Sequence, residues 1–304
     1  MIDAENLTKK FDNLTAVDNL TLHVKEGEVF GLLGPNGAGK TTTIRMLCCL
    51  ISKTGGEARI DDYEIGNVAD QQKIRSIIGL LPENVGLYDA LSAYKNLDFY
   101  GRMYKVKEEQ RKERIEHFLK MLGLWERRDA SVGTFSKGMK QKLAIARTLI
   151  HDPKVLFLDE PTANLDPEAS RTVRDFILDL KKEKRTIFLN THNLDEAERI
   201  CDRVGILKTR LVAVDKPEKL RESLWGIKTE IQLDAVNDAI VAAVKRLGPW
   251  KIEIAGNKLI IGVSEPEKEN PDIVDAIGKA GGRIHFVTQV SPTLEDVYLK
   301  LVRS

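Results

Sequence analysis

The sequence predicts an α/β protein with a smaller α+β domain at its C-terminal end, and three observations carry that reading. From residue 1 to about 220, short apolar runs alternate with longer amphipathic stretches. Runs such as 29–33 and 155–158 are apolar throughout rather than at every second residue, the pattern of strands in a sheet covered on both faces. Beyond about residue 225 the order becomes β-α-β-β-α-β plus a final helix, which predicts a small ferredoxin-like domain.

In chain order, strands are expected at 20–24, 29–33, 77–81, 155–158 and 186–189. A helix is expected after the second of these, because Ile44, Leu47, Cys48 and Ile51 recur at i, i+3, i+4 and i+7. The charged stretch 105–117 interleaves its acids with its bases and leads into the apolar stripe of Ile115, Phe118, Leu119 and Leu122, so it reads as a solvated helix face. Residues 216–225 read as a linker. In the second region, strands are expected at 230–233, 250–254, 259–263 and 284–287, and helices around 240–247, 273–277 and 294–302; 265–271 reads as a polar loop. The expected domains are therefore 1–220 and 225–304.

Composition narrows the function. With 42% apolar and 31% charged residues, the 304-residue chain has a globular rather than a disordered mixture. Its 47 Lys and Arg against 46 Asp and Glu leave a net charge of +1, which argues against a nucleic-acid partner gripped through its phosphates. An uninterrupted apolar run such as 46–51 falls far short of the ~20 residues that span a bilayer. The first five residues carry Asp3 and Glu5 where a secretory signal would carry bases, so a cytoplasmic location is expected. Cys48 and Cys49 are neighbours and Cys201 stands alone, which matches neither a disulfide framework nor a metal spacing.

The chemistry begins at Gly34-Pro35-Asn36-Gly37-Ala38-Gly39-Lys40-Thr41, which fits G-x-x-x-x-G-K-[ST] between a strand and an amphipathic helix. Gly37 and Gly39 let backbone N–H groups turn toward phosphate oxygens, and the helix that follows offers its positive end to the same anion. Lys40 supplies a charge for the β- and γ-phosphates of a bound nucleotide, while Thr41 places a hydroxyl for Mg²⁺ and Thr42 reaches the α-phosphate side. A second element, residues 154–160, is an apolar strand ending in two acids. Ligands of open α/β sheets bind at that end. Asp159 would hold Mg²⁺ and Glu160 would polarise the attacking water as general base, a role worth ~10²–10⁴ in rate.

Further motifs narrow the choice among nucleotide hydrolases. Phe135-Ser136-Lys137-Gly138-Met139, just upstream of the Asp159 strand, resembles the signature of ATP-binding cassette (ABC) proteins. The resemblance implies a mixed core sheet with helices, an antiparallel β subdomain and a helical subdomain. It also implies that Ser136 and Gly138 of one subunit meet the γ-phosphate held by another, so that a second copy or a paralogous ATPase completes the site. Ala163-Asn164-Leu165-Asp166 follows Glu160 as the family's D-loop does, and Asp166-Pro167 reads as an N-cap and first position of a helix. Asn190-Thr191-His192-Asn193 looks like the switch-histidine motif, and Phe11 stands where the family places an aromatic ring against adenine.

The chain also departs from the family pattern. Glu83 takes a position where the family often has Gln, and an ionised carboxylate there can ligate Mg²⁺ but cannot donate a hydrogen bond. The Pro82-Glu83 variant, the Phe135–Met139 signature and the tail 291–298 are similar to the ABC-2 branch, whose members drive export through a separate membrane permease. The resemblance thus implies an ATPase subunit, cytoplasmic and peripheral on the inner membrane face through that permease. A soluble nucleotide switch of the translation or DNA-repair type is the alternative. Its members carry two cassettes or a long coiled-coil arm, and the span from Lys40 to Ser136 is too short for one.

Overall fold

A computed structural model describes residues 1–225, 227–290 and 293–303. Two compact units divide at Lys216 and Pro217. The first runs β1 (Ile2–Phe11), β2 (Leu14–Val24), β3 (Val29–Leu33), α1 (Lys40–Leu47), β4 (Gly55–Ile60), β5 (Tyr63–Glu64), α2 (Val68–Ile77) and β6 (Ile78–Leu81). It continues with α3 (Ala93–Met103), α4 (Glu108–Met121), α5 (Lys137–Leu149), β7 (Val155–Asp159), α6 (Pro167–Lys182), β8 (Thr186–Asn190), α7 (Leu194–Ile200), β9 (Arg203–Lys208) and β10 (Arg210–Asp215).

The six-stranded core sheet has the order β10-β9-β3-β8-β7-β6 and is parallel except where β10 turns back on β9. Every residue of β3, β7 and β8 is buried, which accounts for their lack of alternation. Phe30, Phe188 and Phe157 stand in register on these three neighbours, each ring centroid 5.5 Å from the next. The same registry pairs Leu32 with Asn190 and Asn190 with Asp159, so the carboxyl ends of the three strands finish side by side. A second, antiparallel sheet has the order β2-β1-β4-β5, and α3, α4 and α5 pack on one another as a helical layer. Both are the subdomains that the family resemblance implies.

Helix α1 ends at Leu47, short of the periodicity expected through Ile51. Cys49 adopts φ 55° and the N–H groups of Leu50 and Ile51 both return to the carbonyl of Arg45, which closes the helix and leaves Leu50 exposed.

The second unit contains α8 (Pro217–Trp225), β11 (Ile227–Leu233), α9 (Asp238–Lys245), β12 (Ile252–Ala255), β13 (Lys258–Val263), α10 (Pro266–Lys279), β14 (Ile284–Val290) and α11 (Leu294–Arg303). Its sheet is antiparallel in the order β12-β13-β11-β14, the strand arrangement of the ferredoxin-like fold. Ile231, Leu233, Leu259, Ile261 and Val263 of the sheet bury against Ile240, Val244, Ile273 and Ile277 of the helices. Two expectations are corrected. Residues 217–225 are helix α8 rather than a linker. The polar stretch 265–271 opens α10: Pro266 sits in the first turn, where its missing N–H costs nothing, and Glu269 accepts from the N–H groups of Ser264 and Glu265. Of the tail 291–298, Ser291 and Pro292 lie outside the described residues. Among the described residues no helix is long and apolar enough to cross a membrane.

Candidate functional site

The loop after β3 is held from several sides. Gly39 has φ 99°, and a Cβ there would stand 2.2 Å from the carbonyl oxygen of Ala16, so only glycine fits. The Thr43 hydroxyl donates to the carbonyl of Gly39 at 2.9 Å, and the N–H of Thr209, in the β9–β10 turn, donates to the carbonyl of Ala38 at 3.1 Å. Lys40 is buried, with Nζ donating to the carbonyls of Gly34 at 2.7 Å and Pro35 at 3.1 Å. Burial pulls its pKa down, opposed by the negative charges of Glu160 and Asp159. The ammonium is thus folded back into its own loop, a donor with its charge turned on carbonyl dipoles.

A cavity of about 470 Å³ opens over this loop. Asn36, Gly37, Ala38, Gly39, Lys40, Thr41 and Thr42 all line it, as do Phe11, Leu14, Thr15 and Ala16 from the first hairpin. Gly34 and Pro35 do not line it and act through their carbonyls on Lys40. Glu83, Glu160, Ala163, Asn164, Asn190, His192 and Thr209 also line it. Phe11 is 44% exposed, with the Lys9 ammonium 4.8 Å from its ring centroid.

The acids sit where the strand ends converge. Asp159 is buried, accepting from the Thr41 hydroxyl at 3.4 Å and from the side-chain amide of Asn190. Burial raises its pKa, the two hydrogen bonds oppose the rise, and the charges of Glu160 and Glu83 add to it. Glu160 follows with φ 51°, its N–H bonded to the carbonyl of Asn190 at 2.8 Å. Its Oε2 lies 2.8 Å from Nδ1 of His192 and accepts from the His192 backbone N–H at 3.4 Å. Among the described residues no group of three or more His, Cys, Asp or Glu gathers to cage a metal. One threonine hydroxyl and one carboxylate suit instead a hard cation that keeps water and takes substrate phosphates as further ligands, the habit of Mg²⁺.

Ser136, Gly138 and Asp166 are absent from this cavity. Ser136 caps α5 by accepting from the N–H of Met139 at 3.2 Å. Asp166 caps α6 by accepting from the N–H of Ala169 at 2.8 Å, with Pro167 at the first helical position. Gly138 lets the two helix starts approach, since a Cβ there would stand 2.9 Å from that of Ala169. Beside them Gln141 donates to the carbonyl of Pro161 at 2.8 Å, a tie from α5 to the loop after Glu160 that sequence reasoning missed. Asn190, Thr162, Thr191 and Glu196 also received no role from sequence. For Asn190 a signal existed, an amide following the apolar run Ile187–Leu189, two residues before His192.

A phosphate loop, a strand ending in adjacent acids and a histidine facing the second acid define a P-loop nucleotide hydrolase. The comparisons carry the identity further. The family described as ABC transporter matches residues 17–163. The linearmycin resistance ATP-binding protein LnrL of Bacillus subtilis (strain 168) is 32% identical over 99% of this chain and 98% of its own. The Nod factor export ATP-binding protein I of Cupriavidus metallidurans is 36% identical over 99% of this chain and 97% of its own. Among solved structures, an ATP-binding subunit of an ABC transporter superposes with a TM-score of 0.68 at 29% identity, over 74% of this chain and 94% of that one. A dimeric ATP-binding cassette in a post-hydrolysis state with ADP and Pi gives 0.65 at 28% identity, over 71% and 98%. The chain belongs to the ABC transporter ATP-binding protein family, and its activity is ATP hydrolysis.

Proposed function

We propose that this ATPase powers an ABC-2-type membrane exporter by ATP-driven, head-to-tail pairing of two cassettes, either identical or paralogous. The observation that carries the reading is the division of the motifs: the cavity holds the phosphate loop, Glu160 and His192, while Ser136 and Gly138 lie outside it. A second subunit presenting its own α5 N-terminus would supply the missing donors, and a helix N-terminus is suited to phosphate oxygens. The relatives named for linearmycin resistance and Nod factor export support an export role and a permease partner.

In this mechanism Lys40 leaves the carbonyls of Gly34 and Pro35 for the β- and γ-phosphates, and the N–H groups of the loop cradle them. Thr41 and Asp159 would hold Mg²⁺, with Glu83 as a further oxygen donor; bound there, the cation neutralises charge that builds on the phosphates. Glu160 takes the proton of the attacking water, and His192, held against it, reaches the γ-phosphate. Phe11 stacks on the adenine. To the second unit we assign an accessory role. The protein then works at the inner membrane face through its permease rather than through lipid.

The test is sedimentation of purified Glu160→Gln protein with and without Mg-ATP, alone and with Ser136→Ala added. ATP should convert the first variant to a dimer, and the second substitution should weaken that dimer. A Glu160→Gln protein that binds ATP yet stays monomeric, alone and with its co-purified permease, would defeat the pairing mechanism.

A further inference from the structure

Glu196 is among the most buried acids of the chain, 1% exposed in the first turn of α7. It contributes nothing to the cavity wall. A carboxyl group withdrawn from water costs stability unless its partners repay the desolvation, and burial pushes its pKa up against the hydrogen bonds it accepts. Those partners are informative. Oε2 accepts from the Thr162 hydroxyl at 2.7 Å and from the Thr191 hydroxyl at 3.3 Å, while Oε1 is buried without a partner among the described residues.

The two threonines belong to two different loops. Thr162 comes two residues after Glu160, in a segment that leaves the sheet through the left-handed Glu160 and holds itself by local i,i+3 bonds, Ala163 N–H to the Glu160 carbonyl and Leu165 N–H to the Thr162 carbonyl. Thr191 directly precedes His192, and its hydroxyl also accepts from the Asn193 N–H at 3.0 Å. Asn193 in turn accepts from the Glu196 N–H at 3.1 Å, so Glu196 is itself fixed at the start of α7. One carboxylate oxygen therefore spans the gap between the segment after Glu160 and the residue before His192.

We propose that Glu196 is a positioning residue for hydrolysis: by holding Thr162 and Thr191 together it keeps Glu160 and His192 at hydrogen-bonding distance. The inference rests on the assignment of Glu160 and His192 to the hydrolytic step. Its logic is reach rather than charge. Glutamine retains an oxygen at the same distance along the side chain, aspartate is one methylene too short to meet both hydroxyls, and alanine meets neither. Misplacing a reacting group by about an ångström costs up to ~10²-fold in rate.

The experiment compares steady-state kcat and ATP affinity for Glu196→Ala, Glu196→Asp, Glu196→Gln and Thr162→Val in the full-length protein. Alanine and aspartate should each lower kcat by about 10–100-fold with ATP affinity within about twofold, and glutamine should restore kcat to within about threefold of the parent. Thr162→Val keeps the side-chain shape at a partly exposed site, so it carries the test if Glu196→Ala does not fold, and it should lower kcat without weakening ATP binding. Glu160→Gln and Glu160→Gln/Glu196→Ala complete a cycle: the double variant should be no slower than Glu160→Gln alone. Full turnover in Glu160→Gln would defeat the hydrolytic reading itself. An inactive Glu160→Gln beside normal kcat in Glu196→Ala or Thr162→Val would overturn only the positioning role. Parallel losses of kcat and affinity, a glutamine variant as slow as alanine, or additive losses in the double variant would overturn it too.

Discussion

Nδ1 of His192 lies 2.8 Å from Oε2 of Glu160, and the backbone N–H of the same histidine reaches the same oxygen at 3.4 Å. The carboxylate is thus held by two donors of one residue while its side chain stays largely covered and the imidazole remains open to the cavity. Occupying Nδ1 with the carboxylate leaves Nε2 as the ring's second polar atom, available to a substrate oxygen.

From this pairing, His192→Ala should lower steady-state ATP turnover by roughly 10²-fold or more, in the range of general acid–base assistance. The phosphate loop is untouched, so affinity for ATP should change by less than about threefold. Hydrolysis at saturating ATP, set beside equilibrium binding of a fluorescent ATP analogue, separates the two. Turnover within a few fold of the parent would remove His192 from the reacting centre.

Asp159 makes a prediction about stability and pH. Its folded-state pKa is raised by burial above an ordinary value near 3.8. A raised acid stabilises the fold when protonated, a contribution fully present below 3.8 and lost as pH rises through the folded-state value. At neutral pH the ionised form is therefore a burden, and Asp159→Asn, which keeps an acceptor for Asn190 and Thr41, should melt at a higher temperature than the parent. The difference should shrink as pH is lowered toward 4. Melting curves without nucleotide at pH 7 and pH 4.5 check both parts; an asparagine variant that melts lower at pH 7 would contradict the sign. This is the usual exchange of stability for function at a binding site.

The core offers a test of a different kind. Phe188 is fully buried between Phe30 and Phe157, and its strand delivers Asn190 to the site. Phe188→Ala should cost about 3–5 kcal/mol through lost burial and the cavity left behind. Urea unfolding followed by tryptophan fluorescence and by circular dichroism would measure it, and a loss under about 1 kcal/mol would mean the three rings do not hold the sheet together.

Much of this was legible in the residues because backbone chemistry dictates it locally. Val29–Leu33, Val155–Asp159 and Thr186–Asn190 read as buried strands since their interiors carry no polar side chain, and the last two end in Asp159 and Asn190. The phosphate loop was legible because Gly39 can be nothing else at φ 99° against the Ala16 carbonyl. Sequence reading failed where tertiary partners decide. Pro266 and Pro271 look like a loop until Ile273 and Ile277 find their core, and α1 looks longer than it is because Cys49 turns left-handed. Glu196 was invisible for the same reason: its meaning lies in Thr162, 34 positions away in the chain, and no local pattern marks that distance.

Phe11 provides the last prediction, because its role can be isolated from that of the phosphates. The ring is 44% exposed at the cavity wall, too open to serve mainly as core. Stacking of a base on an aromatic ring is worth ~1–3 kcal/mol. Phe11→Ala should therefore weaken ATP binding by roughly 5–150-fold, and Phe11→Trp should retain it. Inorganic tripolyphosphate, which meets Lys40 and the loop N–H groups but has no base, should bind both variants as it binds the parent. If tripolyphosphate and ATP lose affinity together in Phe11→Ala, the substitution has disturbed the hairpin that braces Gly39 through Ala16, and the stacking role falls.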